Sequence, residues 1–343
     1  MNQETFDFGD GNGPVPAHRH QNRRGIGGWV AETAKVAETA WVGPDAMVFG
    51  RAKVCDRAMV GGQARVYDDA SISGRAKVTG DAQVSDQAQV FGNATVGGQA
   101  RVYGKAKVSG EAKVSGKARV SDTAKVFNQA NVFDDASVSG QAQVYGEAKV
   151  CDQANVSGKA RVIGKSWVWG RAQMSGNTQV WGQARVYDNA QISGDALISG
   201  EAKVFGNACV SGQAKVYDHA QVFDNANIYG EAKVFDQARV LNQANVYGQA
   251  RVFGNAKVFG QAQVSENAGL SGCAQVFGKA KVYGQAWVRG LARVSGNAQV
   301  IGDTKVSGKI QVSGYVHVFG DTEASSSGLR AELEKFQARH VQG

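Results

Sequence analysis

Five histidines and four cysteines are the side chains best suited to proton transfer or metal ligation: His18, His20, His219, His317 and His340, with Cys55, Cys151, Cys209 and Cys273. A histidine base needs a near-neutral imidazole within hydrogen-bond reach of a substrate. A zinc ribbon or a disulfide framework needs cysteines closely spaced along the chain. No two cysteines here form a Cys-x-x-Cys pair, so the thiols read as free groups in a reducing compartment. "AHRH", Ala17–His20, puts two histidines at a spacing that could hold a metal, but with Arg19, Arg23 and Arg24 around it the stretch reads better as a basic arm or cap. His219 lies in "YDHAQV", His317 between Val316 and Val318, and His340 in the C-terminal tail. No catalytic residue, metal ligand or cofactor is assigned.

Any such group must be held by a six-residue repeat. Every position divisible by six from Val30 to Val318 is aliphatic or Met: 49 sites, of which 43 are Val and the rest Ile72, Ile192, Ile198, Ile228, Met174 and Leu270. Two residues before each stands Ala, except at Gly28, Ser166, Thr178, Thr304, Ile310 and Val316. Residues two apart on a strand share a side, so Ala and Val face inward and the polar residue between them faces water. Gly, Asp or Asn follows at a position that tolerates positive φ and makes a tight bend. Each unit is thus a short strand and a corner; a helix would need a period near 3.6.

The residue after each Val counts the corners per turn. It is Ser at 121, 139, 157, 175, 193 and 211, a lag of 18. A turn of 12 would stack Ser121 on Phe133, whereas 18 stacks Ser on Ser and aromatic on aromatic. The spacing therefore predicts an all-β, three-sided parallel β-helix of about 16 turns. It also predicts an N-terminal arm or cap over 1–28, the repeat over 29–323, and a C-terminal amphipathic helix or cap over 324–343 with Leu329, Leu333 and Phe336 on one side.

The pattern V-x-[GDN]-x-A-x resembles the hexapeptide repeat of left-handed parallel β-helix proteins. The resemblance implies the left hand; periodicity does not. "GGWVAETAKVAETAWVGPDAMV", Gly27–Val48, is similar to the entry motif of very regular, YdcK-like bacterial and phage solenoids, some of them labelled transferases. Many hexapeptide proteins are acyltransferases with a His base, an extruded loop and an intersubunit cleft. Here no coil throws out a loop, and only His219 and His317 lie within the repeat.

The variable slot carries the remaining information. One column at lag 18 reads Phe133, Cys151, Trp169, Tyr187, Phe205, Phe223, Leu241, Phe259, Phe277 on what we term the first face. The second face reads Phe127, Tyr145, Ile163, Trp181, Ser199, Tyr217, Phe235, Phe253, and the third carries the serines. Lys and Arg flank the first two columns. Such aromatic stripes mark an interface or stack to stabilise neighbouring coils. The aromatics of these two columns are therefore the candidate binding residues. The expected partners are, in order, further copies of the chain as a homo-oligomer, a glycan or other polymer, and single-stranded nucleic acid. A net charge of +8, from 38 Lys and Arg against 30 Asp and Glu, is mild for the last. The N-terminus has no apolar run, so no signal peptide, membrane span or membrane partner is expected, and the location reads as cytoplasmic or virion-associated. The reading is a non-catalytic structural or binding rod, with a hexapeptide-type acyltransferase bearing an intersubunit site as the alternative.

Overall fold

The computed structural model describes residues 4–320 and the strand Glu323–Ala324. The chain forms two compact units, dividing between Asn177 and Thr178. Each is a parallel β-solenoid with three sheets, and the turns number about 16 in all. The polar residue and the Val of each repeat form a two-residue strand, as in Lys125–Val126. Strands pair at the predicted lag: Lys107 and Val108 lie beside Lys125 and Val126, and those beside Gln143 and Val144. The helix expected over 324–343 falls outside the described residues apart from Ala324, which ends a strand beside Val306.

Three backbone N–H groups in every six donate to the next coil. Lys125, Phe127 and Gln129 donate to the carbonyls of Ala142, Val144 and Gly146 at 2.9, 3.0 and 2.9 Å. Each corner closes on itself, as where Ala124 N–H donates to Ser121 O at 3.1 Å. The core is a column of Ala and Val with almost no exposure. Each buried Val contributes about 1.5–3 kcal/mol. At two of the departures from Ala the buried hydroxyl makes a local bond, whereas that of Thr178, equally buried, has no partner among the described residues. Ser166 donates to Ile163 O at 2.8 Å and Thr304 to Ile301 O at 2.6 Å. Gly28 is another departure with a cause, since a Cβ there would lie 2.1 Å from Ala46 O.

The N-terminal residues cover the first coils. β1 (Thr5–Phe6), β2 (Val15–Asn22) and β3 (Gly25–Ala31) pair antiparallel. Phe6 and Phe8 join Trp29, Phe49 and Tyr67 in one aromatic pile, with centroids 4.5–5.0 Å apart. Arg19 lies over Trp29 and Arg65 over Phe49. The strand Trp41–Val42 begins the first face and would present open backbone groups. Asn22 takes their place: its amide donates to Val42 O at 2.7 Å and accepts from Val42 N–H at 3.0 Å.

Candidate functional site

From Gly50 onward each corner bends through the left-handed region. Corner residues from Gly50 through Gly320 have positive φ, including Asp, Asn and the single Glu266. The acids do more than tolerate that conformation. Asp56 accepts the N–H of Gly74 at 2.8 Å, Asp122 that of Gly140 at 2.7 Å, and Glu266 that of Gly284 at 2.8 Å. Each bond spans one full turn. It satisfies the corner N–H that no neighbouring carbonyl reaches, so a corner acid clamps its coil to the next.

The histidines are dispersed. His18 Nδ1 meets Glu32 at 2.7 Å, while His20 is buried with Nε2 3.2 Å from Ala40 O. The two rings of "AHRH" are therefore engaged by different partners. His219 lies 3.4 Å from Glu201, one turn back, in a shallow groove also lined by Asp218 and Asp236. His317 is exposed beside Gln299, and His340 lies outside the described residues.

Cys151 is buried, and its sulfur and one carboxylate oxygen each of Asp134 and Asp152 lie within 4.8 Å of one another. Both acids already accept corner N–H groups, from Asp152 at 3.5 Å and from Gly170 at 3.0 Å. Burial, helped by Asp152 and Asp134, pushes the Cys151 thiol up to about 11. Folding thus holds a proton that the unfolded chain releases near 9.0. This contribution to stability is complete below that pH and is lost as pH rises toward about 11. Maleimide labelling of the native chain at pH 8 should mark exposed Cys273 first and Cys151 last, with Cys151 accelerating steeply as pH approaches 11. Equal labelling rates would contradict this environment.

The candidate aromatics sit at the rims where strands meet corners. Phe133, Trp169, Tyr187, Phe205, Phe223, Phe259, Phe277, Phe127, Tyr145, Tyr217, Phe235 and Phe253 are all half-buried, and Trp181 is 43% exposed. They stack along the coils. Tyr187, Phe205 and Phe223 lie 4.8 and 4.9 Å apart with planes within 3°, and Phe259 on Phe277 at 4.8 Å. On the second face Phe127 stacks on Tyr145, and Tyr217, Phe235 and Phe253 form a run at 4.9 and 4.8 Å. The stripe expected to be exposed therefore spends its ring faces on itself and shows water mainly ring edges. Burial is the first cause raising the phenols of Tyr187 and Tyr217.

Sequence reasoning missed two features of these surfaces. Tyr229 stacks on Tyr247 at 4.8 Å on the third face, interrupting the serines. The serines at lag 18 run as far as Ser211, and Tyr229 takes the next place in their column. The second feature is an amide row at the corners of the first face, where Asn189 donates to Asn207 and Asn207 to Asn225, each at 3.1 Å.

No family model matches the chain. No curated protein matches it either. Among solved structures it is similar to a "putative acetyltransferase" from Desulfovibrio desulfuricans G20, with 10% identity, a TM-score of 0.22 and 78% of this chain covered. The chain spans 66% of that neighbour's length. A likeness this loose carries no argument about chemistry. No helix among the described residues is long and apolar enough to cross a membrane.

Proposed function

We propose that the chain is a non-catalytic solenoid scaffold that associates with copies of itself through the aromatic rim of its first face. The observation that carries this is a continuous strip in the C-terminal unit: Tyr187, Phe205, Phe223, Leu241, Phe259 and Phe277, each half-buried, with no polar residue between them along the column. Contiguous, partly exposed apolar strips of this kind mark interfaces. Ring edges suit interdigitation with another apolar strip better than stacking on a free ring. The neighbouring Asn row, bonded within itself, supplies a polar border. Acyl transfer is the weaker reading. Its base within the coils would be His219, an exposed ring held beside Glu201, or the exposed His317, and among the described residues no loop leaves the coils to wall a cleft.

Sedimentation velocity of the full chain tests the proposal. The wild type should sediment as a defined oligomer. Phe205→Ser/Phe223→Ser should sediment as a monomer that keeps its circular dichroism spectrum. A wild-type monomer at micromolar concentration, or an oligomer unaffected by the double substitution, refutes it.

A further inference from the structure

The second face of the C-terminal unit carries a row of charge that the fold does not need. Lys215, Lys233 and Arg251 are direct neighbours on adjacent strands. Gly269, Trp287 and Lys305 follow at the same lag. Like charges placed opposite one another on adjacent strands repel. Among the described side chains none of Lys215, Lys233 and Arg251 is in an ion pair, the acids that pair lying elsewhere, while Lys305 stands next to Glu323 on the following strand. No longer run of directly paired cations occurs among the described strands.

The row is interrupted in a specific way. Gly269 stands where every other described coil strand has a side chain pointing outward. A Cβ there would lie 2.7 Å from Cε3 and Cζ3 of Trp287. The indole therefore lies flat over the glycine backbone, between Arg251 and Lys305. Phe253 meets it edge-on, at 6.1 Å and 82°. One indole face rests on the strand, and the other looks outward from a half-buried side chain. Of the other rings of this face in this unit, Tyr217, Phe235 and Phe253 cover one another, while Trp181, 43% exposed, stands two turns before the row begins.

We propose that this row is a binding track for an acidic polysaccharide, an activity separate from self-association through the first face. An extended β-linked chain of uronic acids advances by about one strand spacing, ~4.8 Å, per sugar. Successive sugars of such a ribbon face opposite ways, so carboxylates of alternate sugars meet Lys215 and Arg251, two strand spacings (~9.6 Å) apart, with Lys233 between them, and one pyranose ring lays its C–H face on Trp287. Arg251 provides a planar, two-pronged donor for a carboxylate beside the indole. A single-stranded nucleic acid fits less well, because its bases use successive aromatic platforms and only one open platform lies on this row.

Isothermal titration of the full chain with a poly-β-D-mannuronate octasaccharide at low ionic strength tests the track. Binding is expected, weakening with salt. Lys215→Gln/Lys233→Gln should reduce affinity about tenfold or more. Gly269→Ala, which lifts the indole without changing charge, should reduce it several-fold. The charge variant relieves repulsion, so without ligand it should melt no lower than the wild type, which separates lost contacts from lost fold. No binding of the wild type, unchanged affinity in the charge variant, or tighter binding of an oligothymidylate of equal charge would each overturn the proposal. Equal binding of a neutral β-glucan octasaccharide would do the same. Sedimentation of the same samples reports self-association independently, so either proposal can fail alone.

Discussion

Val168→Asp should abolish the native melting transition of its unit or lower it sharply. Val168 is fully buried beside Val150 in the inward column. An unpaired carboxylate there has no donor within the Ala and Val interior, and burying it costs several kcal/mol. In a solenoid each coil rests only on its neighbours, so the loss spreads along the stack instead of staying at one side chain. Gln173→Asp is the control, because its side chain is exposed one strand later in the chain. Circular dichroism melts should show that control near the wild type. A Val168→Asp melt matching the wild type would place this column outside the core.

The second large effect lies at the corners. Gly116 has φ of 67°, and a Cβ on it would lie 2.6 Å from Asp134 N. Gly116→Val should therefore destabilise by several kcal/mol, from left-handed strain of about 1–2 kcal/mol plus the displaced neighbouring coil. Gly116→Ala should cost less. Gly116→Asp should cost less again, despite being larger than Ala. Its carboxylate can accept the N–H of Asp134, as Asp122 accepts that of Gly140, a bond worth about 1 kcal/mol. Denaturant midpoints for the three variants give the order directly. Asp ranking with Val would remove the clamp role assigned to corner acids.

The sequence made the three-sided coil legible because side-chain identity repeats at the pairing distance. Ser121 and Ser139 are distant along the chain yet adjacent in space, and nothing interrupts the count between Val30 and Val318. The corner clamp was less visible. Asp at a bend is sufficiently explained by its tolerance of positive φ, and its real partner, an N–H one turn later, exists only after the coil closes. Ring orientation was also hidden. Spacing shows that Phe205 and Phe223 are neighbours, but only geometry shows that they use up each other's faces. Phe6 and Phe8 lie outside the repeat, so no periodicity could assign them to the pile on Phe49. The Trp287 platform did leave a trace. "ENAGL" is the repeat with Gly in the outward slot, and "GQAWV" follows one turn later.

These surfaces divide the labour of the fold. The inward column and the corner bonds hold each unit, and they are nearly invariant from coil to coil. Specific character is confined to the rims, corners and outward strand slots, where an apolar strip and an amide row share the first face and a cation row occupies the second. Because ring faces are consumed in stacking, the first-face strip is fitted to another apolar edge, whereas the second-face row offers one open indole among cations.

A photocrosslinking amino acid at position 241, in the middle of the first-face strip, tests the central claim most directly. On irradiation of the assembled protein, mass spectrometry should find intermolecular adducts concentrated between residues 187 and 277 on the first-face rim of another copy. No intermolecular adducts, or adducts confined to the other two faces, would contradict the account.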